Sequence, residues 1–224
     1  MLLLIPGMMC DGRMWGDLSG LPCTLHHAEM TGSDSIEALA ANILHKAPRY
    51  FALAGLSMGG IIAMEILRQA PARVQRLALL DTNPRAEMTE VQALRAPQIA
   101  RALSGDLAGV MNDTIQQYFA TQQPKLADLC LEMALSLGPQ TYAQQSVALR
   151  DRPDQTATLA AYHAPALVLM GEQDRLCPRD RHDQMHALMP QSRLVMVPNA
   201  GHLPTLENPS ATQNALLDWL TQPE

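Results

Sequence analysis

Tyr50-Phe51-Ala52-Leu53-Ala54-Gly55-Leu56-Ser57-Met58-Gly59-Gly60-Ile61-Ile62-Ala63-Met64-Glu65-Ile66-Leu67 decides how this chain is built. An apolar run of strand length stops at a Gly-x-Ser-x-Gly turn, and a run of helical period starts directly after it. A serine on so sharp a strand-to-helix turn must adopt a strained backbone, and its neighbours must lack side chains to avoid collision. The turn lifts the hydroxyl above the end of the strand. It also sets a helix N-terminus, with its unpaired N–H groups and positive dipole end, beneath that hydroxyl. A passive serine in a glycine-rich turn is the plain alternative, and the strand and helix on either side speak against it.

Outward from this turn, short apolar runs at 2–5, 50–55, 76–80, 166–170 and 193–197 read as buried strands, each ending near Pro, Gly or Asp. The run 23–30 is a weaker strand, because His26 and His27 interrupt it. Helical patterns occupy 35–46, 58–69, 180–188 and 210–220, with Ser35 and Ser210 as candidate N-caps. Continuous apolar strands alternating with helices predict a parallel sheet covered on both faces. Between 82 and 164 no strand pattern occurs, and helical stretches are punctuated by Pro84, Pro97, Gly105, Pro124, Gly138 and Pro153. A structureless loop of that length is implausible in a compact domain, so 84–154 is expected to be a helical insertion over one edge of the sheet.

A serine hydroxyl needs a base to take its proton. His202 follows the last strand in Val197-Pro198-Asn199-Ala200-Gly201-His202-Leu203-Pro204, where a loop can carry it over the strand ends. His26, His27, His45 and His163 sit in or beside ordinary elements and read as surface or packing residues. His182 and His186 share a helix face, but no Glu follows His182 and no third ligand is obvious, so no metal site is expected. The base needs an acid to fix its tautomer. Asp174 ends the strand Leu167-Val168-Leu169-Met170 through Gly171-Glu172-Gln173; Asp81 is the rival acid, and Glu172 is less well placed. Parallel strands bring their carboxyl ends to one edge, so Ser57, Asp174 and His202 can converge from distant parts of the chain.

The order Ser–Asp–His with the serine on such an elbow resembles the α/β-hydrolase superfamily, nearest its carboxylesterase and enol-lactone hydrolase branches. Four blocks carry the likeness: Leu3-Leu4-Ile5-Pro6-Gly7-Met8-Met9-Cys10-Asp11, Gly55–Gly60, Leu167–Asp174 and Asn199–Pro204. The resemblance implies a three-layer sandwich around a six-stranded, mainly parallel sheet of order 2-1-3-4-5-6. It implies a core of 1–83 and 155–224, with the helical cap 84–154 inserted after the fourth strand. It also implies an oxyanion hole built from the backbone N–H groups of Met58 and Met8, with Met9 as the second choice for the latter. Many relatives carry His-Gly-x where this chain has Pro6-Gly7-Met8, which matters little for a main-chain donor. A substrate pocket under the cap would draw on Met9, Trp15, Met111, Tyr118, Phe119 and Met133, beside Leu103, Ile115, Leu129 and Leu137. No Arg cluster is evident in the sequence, and Arg13 is the single candidate anchor for an acidic group.

These residues together lead us to expect a serine hydrolase of small or medium carboxylic esters, lactones or thioesters, working through an acyl-enzyme on Ser57. The alternative is a triad-bearing small-ligand receptor with slow turnover, since the Pro6–Asp11 loop is similar to that of a bacterial stress-signalling relative. Dehalogenase and epoxide hydrolase relatives carry Asp where this chain has Ser57. The 224 residues suit one domain with an insertion, and the net charge of −6 without a basic run argues against nucleic acid or an anionic membrane as partner. Cys10, Cys23, Cys130 and Cys177 form no CxxC pair and read as reduced thiols of a cytoplasmic protein. No apolar stretch approaches the roughly 20 residues of a membrane span, and no cofactor is called for.

Overall fold

The computed structural model describes residues 1–222. Six strands, β1 (Leu2–Ile5), β2 (Leu25–His27), β3 (Phe51–Leu56), β4 (Val74–Leu80), β5 (Ala166–Gly171) and β6 (Arg193–Val197), form one sheet of order β2-β1-β3-β4-β5-β6. Every pairing is parallel, so the sheet is wholly and not only mainly parallel. The order matches the expectation, and the weak strand at 23–30 shrinks to three residues. That is the physical consequence of its edge position: His26 and His27 stand exposed, and only β1 pairs with it.

Alternation along the strands builds two cores. Leu2, Leu4, Leu56, Leu80, Leu167 and Leu169 point to one face, while Leu3, Ile5, Leu53, Leu79 and Val168 point to the other. Both sets are buried because helices cover both faces, which is why these strands read as unbroken apolar runs. On the second face lie α1 (Ile36–Lys46), α2 (Met58–Gln69) and α7 (Arg179–Leu188); on the first lie the short α8 (Pro204–Glu207) and α9 (Pro209–Thr221). Ser35 caps α1, accepting the Ala38 N–H at 3.2 Å. The cap of α9 is Asn208 and not Ser210: the Asn208 side chain accepts the Ala211 N–H and Pro209 takes the first helical position, where a missing N–H costs nothing.

Between β4 and β5 the chain runs through α3 (Thr89–Arg101), α4 (Leu107–Ile115), α5 (Pro124–Arg150) and the short α6 (Thr156–Ala160). α5 breaks at Gly138 and Pro139, where Gly138 takes φ 81°. Met111, Ile115, Tyr118, Phe119 and Met133 from this stretch join the first core, whereas Leu103 is 46% exposed and faces away from it.

His182 and His186, the pair considered for a metal, are each committed to protein partners. The Thr82 N–H donates to His182 Nε2 at 3.3 Å, and His186 Nδ1 pairs with Ser192 Oγ at 2.8 Å. His182 is fully buried, and desolvation lowers its pKa from 6.5 to about 4. Between those values the unfolded chain binds a proton that the folded one refuses, so stability falls as pH drops through this window. This group alone should make the protein about 2 kcal/mol less stable at pH 5 than at pH 7. Urea unfolding of His182→Gln at both pH values should show a smaller loss than the wild type; an identical loss would refute the assignment.

Candidate active site

The carboxyl ends of β1, β3, β4, β5 and β6 share one edge, and the chemistry gathers there. Ser57 joins β3 to α2 with φ 55° and ψ −119°, a conformation that non-glycine residues rarely adopt. Backbone crowding dictates the flanking glycines. A Cβ on Gly59 would lie 2.0 Å from the Ile5 carbonyl oxygen, and one on Gly55 would lie 2.2 Å from that of Gly59. The Ser57 N–H donates to Leu80 O at 2.9 Å, and the Thr82 hydroxyl donates to Ser57 O at 2.7 Å. The strained serine is thus fastened from β4 on both sides of its peptide.

His202 Nε2 lies 2.8 Å from Ser57 Oγ, and His202 Nδ1 lies 3.0 Å from Asp174 Oδ2. With Nδ1–H donating to the carboxylate, Nε2 is left as the acceptor for the serine proton. Asp174 Oδ1 accepts the Leu176 and Cys177 N–H groups at 2.8 and 3.1 Å. Burial opposes the Asp174 charge, yet the His202 charge and hydrogen bond and these two N–H groups outweigh it and hold the carboxyl below its ordinary range. Asp81 does not reach His202. It is fully buried at the end of β4 and accepts the Gly171 N–H at 2.8 Å, and burial together with the Asp174 charge pushes its carboxyl well above the carboxylate range. Glu172 is exposed.

Among the described residues, one group of three potential metal ligands lies close together: Asp174, Cys177 and His202. Burial first, then the neighbouring carboxylates, keeps Cys177 a neutral thiol, and the other two are bonded to each other. A groove of about 420 Å³ between β2 and α1, lined by His26, His27, His45 and Lys46 among others, shares no residue with this constellation.

The loop after β1 disposes of its N–H groups one by one. Gly7 N–H points at Met14 Sδ, 3.0 Å away, and Met9 N–H donates to Gln145 Oε1 at 2.8 Å. Among the described residues, the N–H groups of Met8 and Met58 carry no partner. Met9, the second choice for an oxyanion donor, is therefore already engaged. Gln145 itself is buried and reaches from α5, its Nε2 donating to Met30 O at 2.8 Å.

A family model for the alpha/beta hydrolase family matches residues 2–215. The chain belongs to the alpha/beta hydrolase family. Within that family it is 28% identical to the pimeloyl-[acyl-carrier protein] methyl ester esterase of Photobacterium profundum, over 98% of this chain and 94% of that one. The Klebsiella pneumoniae enzyme of the same name is 24% identical, over 99% and 93%. Among solved structures, a thermophilic esterase from Thermogutta terrifontis with malate bound superposes with TM-score 0.88 and 28% identity, covering 98% of this chain and 88% of that one. The enol-lactonase from Burkholderia xenovorans gives TM-score 0.86 at 20% identity, over 99% and 91%, a likeness of fold.

In this hydrolase several supports of the site carry no sequence signature. Glu207 accepts the Gly201 N–H through one oxygen and the Ala120 N–H through the other, both at 2.7 Å, while the His202 N–H donates to Tyr118 O at 2.6 Å. The histidine loop is thereby clamped against the end of α4. Tyr118 also sets its ring 5.7 Å from that of His202. Trp15, Met9, Met111, Phe119 and Met133 are all buried in the same apolar cluster. Arg13 is no free anchor, since Asp11 and Glu132 both pair with it at 2.7–2.8 Å.

Two substitutions probe this frame. Gly59→Ala should leave no soluble folded protein, because the atoms its Cβ would strike, in Ile5 and Pro6, are all backbone. Glu207→Ala should fold yet slow phosphonylation of Ser57 by a fluorophosphonate on the order of 10²-fold, since the base shifts relative to the serine. A wild-type labelling rate in Glu207→Ala would show that the clamp does not set the geometry.

Proposed function

We propose that this protein is a serine esterase that cleaves small or medium carboxylic esters, with Ser57 as nucleophile, His202 as base and Asp174 as the acid that orients it. The observation that carries this is the unbroken hydrogen-bonded chain Ser57–His202–Asp174 on a strained elbow above a helix N-terminus. The esterase relatives over nearly the full chain support the same reading.

In the first half, His202 Nε2 takes the Ser57 proton as Oγ bonds to the substrate carbonyl carbon. Charge develops on the carbonyl oxygen, where the unpartnered Met8 and Met58 N–H groups are placed to donate. His202 then passes its proton to the departing alkoxide, leaving an acyl-Ser57 ester and a free alcohol. In the second half, water gives a proton to His202 while its oxygen attacks the acyl carbon; Ser57 leaves with that proton and the acid is released. Lactones and thioesters fit the same steps. The stretch 84–154 serves as the cap over the 1–83 and 155–224 core. Its Tyr118, Met111, Phe119 and Met133, with Met9 and Trp15 from the core, form the apolar wall against which an acyl chain packs. Four unpaired cysteines suit a reducing cytoplasmic setting. A slowly turning receptor is less well supported, because nothing interrupts the proton path.

Steady-state hydrolysis of p-nitrophenyl esters from acetate to octanoate tests the proposal. Saturable turnover in the wild type should fall by at least about 10³-fold in Ser57→Ala. Stoichiometric Ser57 labelling without multiple turnover on any ester would favour the receptor instead. Gln145→Leu frees the Met9 N–H and loosens the loop, so kcat should drop about tenfold or more with KM little changed.

A further inference from the structure

A cluster of charge lies buried beside the proposed oxyanion loop, and it does not cancel. Arg95 on α3 is 14% exposed, Glu87 is 3% and Arg152 is 9%. Arg95 gives Nε and Nη2 to the two oxygens of Glu87 at 2.9 Å each. Arg152 gives Nη1 to the same carboxylate and further donates to the carbonyls of Arg85 and Leu149. One carboxylate thus faces two guanidinium groups, and Arg152 alone would neutralise it. The surplus charge has a direction. Arg95 Nη1 has no oxygen partner among the described residues; its one hydrogen-bond partner is Met8 Sδ at 3.9 Å, and a thioether is a weak acceptor.

Met8 is the residue whose main-chain N–H is left free beside Ser57. Arg95 shares its helix face with Ile99, which packs into the apolar cluster that holds Tyr118 and Met133. Burial pushes the Tyr118 phenol up, and the Arg95 charge pulls against that shift. Tyr118 in turn stands against the His202 ring. The free edge of the guanidinium is therefore the one beside Met8, in the loop whose Gly7 packs against Ser57. A buried, under-compensated cation is costly unless an anion meets it. The cluster's single surplus charge, and the one Arg95 nitrogen without an oxygen partner, match a monoanionic carboxylate better than a dianionic phosphate.

We propose that Arg95 Nη1 binds a carboxylate carried by the acyl part of the substrate, so that the preferred esters are half-esters of dicarboxylic acids. This rests on the esterase reading and narrows it. Substrate binding brings the carboxylate into the place where only the Met8 sulfur now faces Nη1, and the scissile ester group then lies at Ser57. Arg95 is a specificity residue and takes no part in proton transfer.

The test compares monomethyl succinate, glutarate and adipate with methyl butyrate, pentanoate and hexanoate, each pair matched in chain length, by methanol release at pH 8. At the best length, the wild type should favour the half-ester in kcat/KM by about tenfold or more, the scale of one charge-assisted hydrogen bond. In Arg95→Met that ratio should collapse toward one, while Arg95→Lys should keep part of it. Glu87 stays paired with Arg152 in both variants. Turnover of neutral esters with no half-ester preference in the wild type overturns this inference and leaves the esterase reading intact. A preference that survives in Arg95→Met also overturns it. Failure to cleave either series sinks both.

Discussion

Gly59 packs its Cα against the carbonyl oxygens of Ile5 and Pro6 so closely that a methyl group would sit 2.0 and 2.5 Å from them. That contact between β1 and the start of α2 is the constraint on which the rest of the site hangs. It brings the loop after β1 alongside the elbow, where a Cβ on Gly7 would lie 3.5 Å from that of Ser57. A second contact of the same kind joins the acid and base loops: a Cβ on Gly171 would lie 1.8 Å from Gly201 O. Backbone approach of this kind cannot be adjusted by a rotamer change, so the distances between serine, histidine and aspartate are fixed by main chain and inherited by the side chains.

Around this rigid edge lies a polar frame that ties it to the helices between β4 and β5. Gln145 holds the Met9 N–H and Met30 O, Glu207 ties Ala120 to Gly201, and Tyr118 O takes the His202 N–H. Each of these buried or half-buried groups is satisfied by main chain, the arrangement that costs least away from solvent. The consequence is that the helices between β4 and β5 are joined by hydrogen bonds to the loop after β1 and to the loop that carries His202, so the placement of those helices and of His202 is not independent.

The strand at 2–5 is legible because all four of its apolar residues are buried, and α1 because Ile36, Leu39, Ala40, Ile43 and Leu44 recur at helical period; 193–197 reads as a strand by its apolar run, yet at the sheet edge only Val197 is buried. Ser57, His202 and Asp174 are legible because each sits in a glycine-marked turn after a strand, and parallel strands must deliver those turns to one edge. Asp81 also ends a strand at that edge, and only geometry sets it aside: its carboxyl accepts the Gly171 N–H and makes no hydrogen bond to His202. The polar supports leave no such mark. Gln145 lies mid-helix, and its partner Met9 is 136 residues away, a pairing no local period reveals. Arg95, Glu87 and Arg152 look like ordinary surface charges in sequence, and only folding puts two cations on one buried carboxylate. Asn208 and Ser210 are both good caps, and the choice between them turns on where Pro209 starts the helix.

Whether Ser57 reacts at a carbonyl whose oxygen Met8 and Met58 receive is tested most directly by a crystal structure of the protein inactivated with an alkyl phosphonate. A covalent Ser57 Oγ–phosphorus bond is expected, with the phosphoryl oxygen within hydrogen-bond distance of both N–H groups and Gln145 still on Met9. An adduct elsewhere, or a phosphoryl oxygen turned away from those two N–H groups, would contradict the assignment.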